Sequence, residues 1–124
     1  MTLQALKAFD LLEKQGIEAR LINLPTLQPI DEDLIISSAG QTMVVVTAEE
    51  HSIIGGLGSS VAQLLGEKCP VPVRRIGIKD RFETSGDAEQ LLSHYGLTAD
   101  AIAAAAVEVI RMKNRRRAAR ASRL

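Results

Sequence analysis

The segment Val44–Ser60, reading VVVTAEEHSIIGGLGSS, constrains the fold more than any other stretch of the chain. Met43–Ala48 is a run of apolar, largely β-branched residues, the pattern of a strand covered on both faces. Glu49-Glu50-His51 stand at its C-terminal end. Gly55, Gly56 and Gly58 then permit a tight turn into a helix carried by Ser60, Val61, Leu64 and Leu65. A buried strand feeding a glycine turn and a helix is half of a βαβ unit, and so points to a layered α/β fold.

The flanking sequence extends this pattern. Leu3, Leu6, Phe9 and Leu12, with Ala5 and Ala8, form an apolar face at helical spacing. Gly16 is placed as a left-handed cap, with Ile17 reaching back to Leu12. Ala19–Leu24 reads as a short strand ended by Pro25. Pro29-Ile30-Asp31 opens a second helix, with Asp31 as its cap, Ile30 placed against Ile35, and Gly40 as its stop. Pro70 and Pro72 precede a strand at Val73–Ile78, and Lys79–Gly86 form a charged loop. Asp87 caps a short helix around Ala88–His94, and Thr98 caps a last helix whose inward stripe is Ile102, Ala105, Ala106 and Val109. Strands alternating with helices predict a three-layer α/β/α sandwich with a mainly parallel sheet.

Charge divides the chain in two. Residues 1–110 hold eight Lys/Arg against fifteen Asp/Glu, a balance of −7, whereas the last fourteen positions carry seven bases and no acid. One domain over 1–112 followed by a basic tail over 113–124, a frayed helix or disordered, is the expected organisation. The tail has neither interleaved aromatics nor a nucleic-acid motif, so contact with an acidic partner or the acidic body is expected over nucleic acid. No apolar run is long enough to span a membrane. The start lacks a signal-peptide pattern, and the single cysteine, Cys69, forms no intrachain disulfide; both place the expected chain in the cytoplasm.

Candidate site residues cluster around the glycine turn. Gly55, Gly56, Gly58, Ser59 and Ser60 suit either an anion-binding turn at a helix start or a turn in which glycines allow close packing, the commoner use. Val61 stands where a dinucleotide fingerprint needs glycine. Glu50 and His51 follow a strand end, where α/β sheets place ligands. Glu49 and Glu50 alternate faces and so cannot form one acid–base pair. Arg74, Arg75, Lys79 and Arg81 are open to a sugar phosphate or to plain solvation, with Arg74 and Arg75 on opposite strand faces. No spacing supplies a metal site.

Thr47-Ala48-Glu49-Glu50-His51 through Gly55-Gly56-Leu57-Gly58-Ser59-Ser60 resembles the C-terminal domain of transketolases, in the form whose enzyme is split into two subunits. Arg20–Thr26, Pro29–Asp31, Arg74–Phe82, Ser85-Gly86 and Tyr95–Thr98 resemble the same family in the same order, over roughly residues 3–112. More distant relatives are deoxyxylulose-phosphate synthase and the beta subunits of 2-oxo acid dehydrogenases. The first is expected to carry Asn where His51 stands, so His51 favours the transketolase branch.

The resemblance implies an enzyme that uses thiamine diphosphate and Mg to transfer a two-carbon ketol unit between sugar phosphates. The cofactor belongs to the N-terminal, cofactor-binding domains or subunit, which are the implied partners in a homodimer or hetero-oligomer. Glu50, His51 and Arg81 would lie at an interface or the outer active site. No catalysis is expected from this chain alone, and a non-catalytic dimerisation or partner-binding module of the same fold is the alternative. The family opens this domain with an interior strand that ends in a turn where Met1 stands. A fragment, or a chain completed by another subunit, is therefore expected, and in isolation it should be marginally stable or prone to aggregate.

Overall fold

A computed structural model describes residues 1–24, 29–52, 55–78 and 96–122. Helix α1 (Thr2–Lys14) is followed by α2 (Glu32–Thr42), strand β1 (Val45–Ser52), α3 (Leu57–Lys68), strand β2 (Val73–Ile78) and α4 (Ala99–Ala121). β1 and β2 pair in parallel, with Val45 opposite Val73 and Ala48 opposite Ile76.

The strands separate two apolar clusters, and their alternating side chains explain why. Val46, Ala48 and Ile76 pack against Ala8 and Leu12 of α1 and Ala99, Ile102 and Ala103 of α4. Val45 and Val73 face the other way, onto Ile35 and Ala39 of α2 and Val61, Leu64 and Leu65 of α3. With period-2 side chains both faces of the sheet are covered, and the three-layer α/β/α arrangement follows.

Local signals set most boundaries. At the end of α1, Gly16 takes φ +76, its N–H donates to Glu13 O, and the Ile17 N–H donates to Leu12 O, the paired bonds of a Schellman cap. The Asp31 carboxylate accepts from the Leu34 N–H at 3.2 Å, and the Thr98 hydroxyl from the Ala101 N–H at 3.2 Å. Gln4 Oε1 also accepts from the Ala99 N–H at 2.9 Å, which ties α1 to the start of α4.

Four expectations need correction. Gly40 does not stop α2; the helix runs to Thr42 and ends on Met43 at φ 65, a left-handed cap made by a residue that ordinarily avoids it. The first strand begins at Val45 and continues through Glu49, Glu50 and His51 to Ser52, because its polar end finds hydrogen-bond partners. Leu3 and Leu6 are exposed; α1 buries Ala8 and Leu12 instead. Ala19–Leu24 forms no strand, and the helix expected around Ala88–His94 lies outside the described residues.

The Ala19–Leu24 segment makes no ladder with β1 and lies along a cleft beside it. Residues 18–22 and β1 residues 45–48 line one apolar cavity of about 260 Å³, together with Leu12, Val61, Ile102 and Val109. Ile17 and Ala19 rest on the α1–α4 cluster and Leu24 on the α2–α3 cluster, so the segment is held by side chains rather than by backbone pairing. β1 pairs only with β2 among the described residues, which leaves its other edge open along this cavity. Two hydroxyls at the cavity wall, Ser38 Oγ and Thr47 Oγ1, are buried without a hydrogen-bond partner among the described residues.

A buried hydroxyl without a partner destabilises, so its removal should help the isolated chain. Ser38→Ala is expected to raise the unfolding free energy by about 1 kcal/mol, with a gain in helix propensity included. Urea denaturation checks this; a loss of similar size would show that the hydroxyl is bonded.

Candidate functional site at the C-terminal end of β1

Period-2 alternation places Thr47 and Glu49 on the α3 side of β1. The turn after β1 brings the first residues of α3 directly over them. The Glu49 carboxylate accepts two backbone hydrogen bonds from the start of α3, Leu57 N–H to Oε2 at 2.6 Å and Gly58 N–H to Oε1 at 3.0 Å. The first amides of a helix have no partners within the helix and carry its partial positive charge, so an anion there is doubly favoured. Here the anion is a buried side chain of the protein itself.

Gly58 makes that approach possible. A Cβ at this position would lie 2.8 Å from Thr47 Oγ1 and 3.0 Å from Cγ and Cδ of Arg75. Thr47 is buried and cannot withdraw, whereas exposed Arg75, whose Nη1 donates to Ser59 Oγ at 3.4 Å, can shift. Gly55 has a different role. At φ +77 it needs glycine for its conformation, and its N–H donates to Ser59 Oγ at 3.1 Å, which folds the turn onto the helix. Gly56 is buried at the N-cap position, and Ser60 N–H donates to its carbonyl.

The sequence candidates therefore separate. Glu49, given no chemical role from sequence, is the buried anion of the turn. Glu50 is exposed on the opposite side, ion-paired with the Met1 amino group. His51 is the next-to-last residue of β1, after Glu50, at the carboxyl end of the strand. Arg81 falls outside the described residues. Arg74 and Arg75 do take opposite faces: Arg74 forms an ion pair with Glu108 of α4, whereas Arg75 turns toward Ser59 and Gly58. Among the described residues no three His, Cys, Asp or Glu side chains gather as a metal site. Glu49 was legible in principle, as a carboxylate two residues after Thr47 on the face that the following helix start must cover.

A strand whose buried carboxylate closes a glycine turn, inside an α/β/α sandwich, defines the class: a layered α/β domain built on a parallel strand pair. The chain belongs to the family described as "Transketolase, C-terminal domain", whose model matches residues 1–102. It is 48% identical over 114 residues to the 6-deoxy-6-sulfo-D-fructose transketolase subunit of a Clostridium species, covering 92% of this chain and 35% of that protein. It is 44% identical to a putative transketolase C-terminal section of Methanocaldococcus jannaschii, covering 81% of this chain and 31% of that protein. A 1-deoxy-D-xylulose-5-phosphate synthase of Heliobacterium modesticaldum is 43% identical, with 83% of this chain and 16% of that protein covered. Among solved structures, a split-gene transketolase in an inactive beta4 tetramer superposes with a TM-score of 0.85 at 47% identity, over 89% of this chain and 36% of that one. The chain thus spans about a third of the split-transketolase relatives it matches, and it covers their C-terminal domain alone.

The clasp between Glu49 and α3 predicts two measurable losses. Glu49→Gln replaces one accepting oxygen with an NH₂ group and removes the charge, and is expected to cost about 1.5–3 kcal/mol of stability. Gly58→Ala forces a contact into buried Thr47 and is expected to cost about 1–3 kcal/mol. Equilibrium denaturation of both variants provides the check; two neutral results would remove the clasp from the account.

Proposed function

We propose that this chain supplies the C-terminal domain of a transketolase-type enzyme and works only when joined to cofactor-binding domains on the same or another chain. Thiamine diphosphate and Mg would bind in those domains, and the assembled enzyme would transfer a two-carbon ketol unit between sugar phosphates. One observation carries the division of labour. The turn best shaped to hold a diphosphate has its Leu57 and Gly58 amides already engaged by the Glu49 carboxylate. A second anion there would lose those donors and face a like charge, so this site does not fit the diphosphate group. The turn at Gly55, Gly56, Gly58, Ser59 and Ser60 is then a packing device.

Glu50, His51 and Arg81 are the residues we assign to the outer active site or the interface with the cofactor domains. Glu50 and His51 stand at the carboxyl end of β1, the end at which parallel α/β sheets present ligand-contacting groups. The match to a split-gene transketolase subunit supports assembly with other subunits. The Clostridium relative is named for a sulfonated sugar, so a sulfosugar is a substrate worth testing beside sugar phosphates.

The test is a ketol-transfer assay with thiamine diphosphate and Mg, run with the cofactor-domain chain in the presence and absence of this one. Fructose 6-phosphate and 6-deoxy-6-sulfo-D-fructose serve as alternative donors. Turnover is expected only when both chains are present, and a rate indifferent to this chain would overturn the proposal. In the assembled enzyme, His51→Ala is expected to lower kcat/KM about tenfold with the melting temperature unchanged.

A further inference from the structure

Helix α4 changes character along its length. Ile102, Ala105 and Val109 are buried against the body, with Ala106 half-buried beside them. The same helical face continues, at spacings of three and four, through Lys113, Arg116, Arg117 and Arg120. The stripe that holds the helix to the core becomes a stripe of cations, and every residue from Asn114 to Ser122 is exposed. Among the described residues none of these four side chains has an ion pair; the only pair that α4 makes is Glu108 with Arg74. This extension also lies beyond residues 1–102, the part matched by the family model.

Such an extension is poorly self-supported. Like charges three and four positions apart weaken a helix, and a stretch without an apolar face gains nothing from packing. Proximity to the helix C-terminus offsets part of this repulsion. The remaining charge calls for an anionic surface, and the rest of the chain carries one. Residues 1–110 have a net charge of −7 that the last fourteen positions match with +7. Their densest acidic run among the described residues, Asp31, Glu32 and Asp33 at the start of α2, is exposed and has no ion pair there. Among the described residues the tail pairs with no acid of its own body, and a second copy offers the complementary charge. A nucleic acid fits less well, since a body of charge −7 would be carried toward the phosphates.

We infer that the cationic face of α4 formed by Lys113, Arg116, Arg117 and Arg120 docks on the acidic body of a second copy of this chain. Two copies can exchange tails symmetrically, so one type of contact is made twice. This goes beyond the transketolase reading and does not depend on it.

Sedimentation velocity of the full chain across a salt series tests the inference. Self-association is expected at about 20 mM salt and is expected to vanish near 0.5 M, where the Debye length falls to about 4 Å. The neutral variant R116Q/R117Q/R120Q should weaken association about tenfold, and R116E/R117E/R120E should abolish it. The charge-retaining R116K/R117K/R120K should keep association within about threefold. Gln, Glu and Lys are all good helix formers, and far-UV circular dichroism of each variant checks that α4 persists. A chain monomeric at low salt, or association indifferent to charge reversal, overturns the proposal. So does binding of a DNA or RNA oligonucleotide tighter than self-association.

Discussion

The Glu49 carboxylate holds the start of α3 to the end of β1, and the arrangement of the α3 side of the sheet depends on that contact. Its two oxygens accept from Leu57 and Gly58, donors that a helix cannot satisfy internally. A charged group in this buried position is tolerated because its hydrogen bonds are made. The contact draws α3 so close to the strand that only glycine fits at position 58, with Thr47 and Arg75 filling the space beneath. The acidic residue, the glycines and the threonine are thus parts of one packing solution.

On the opposite face of β1, Val46 and Ala48 pack against α1 and α4. Glu50 alternates away from the helix, and His51 follows it at the carboxyl end of the strand. A strand anchored on one face can hold groups in fixed positions toward a neighbouring domain, which is what a C-terminal transketolase domain is proposed to contribute. The open edge of β1 has the same implication for assembly. Among the described residues β1 pairs only with β2, and an apolar cavity with two unpartnered hydroxyls lies beside its other edge. The described strands alone do not close this side of the core.

Local chemistry made much of the fold legible. The bounds of β2, the Asp31 and Thr98 caps and the Gly16 turn are dictated by neighbours a few residues away, and proline, glycine and side-chain oxygens report such constraints directly. What the sequence concealed was tertiary. The length of β1 depends on helix amides eight and nine residues away donating to a carboxylate in the core. Met43 adopts positive φ because the chain must turn between α2 and β1 there, without the glycine that normally signals it. Ala19–Leu24 has the composition of a strand, yet its side chains lie along a cavity beside β1 and its backbone makes no ladder there. At the site, the glycines were visible and the carboxylate that fills their turn was not, because a lone Glu in a strand reads as a surface residue.

The central claim is that the glycine turn is closed by the protein's own anion. Titration of the ¹⁵N-labelled chain with pyrophosphate, followed at the Leu57 and Gly58 amide resonances, tests it most directly. Neither amide is expected to shift saturably at millimolar pyrophosphate, since Glu49 occupies both. Saturable shifts of both amides would contradict it and make the turn an anion site.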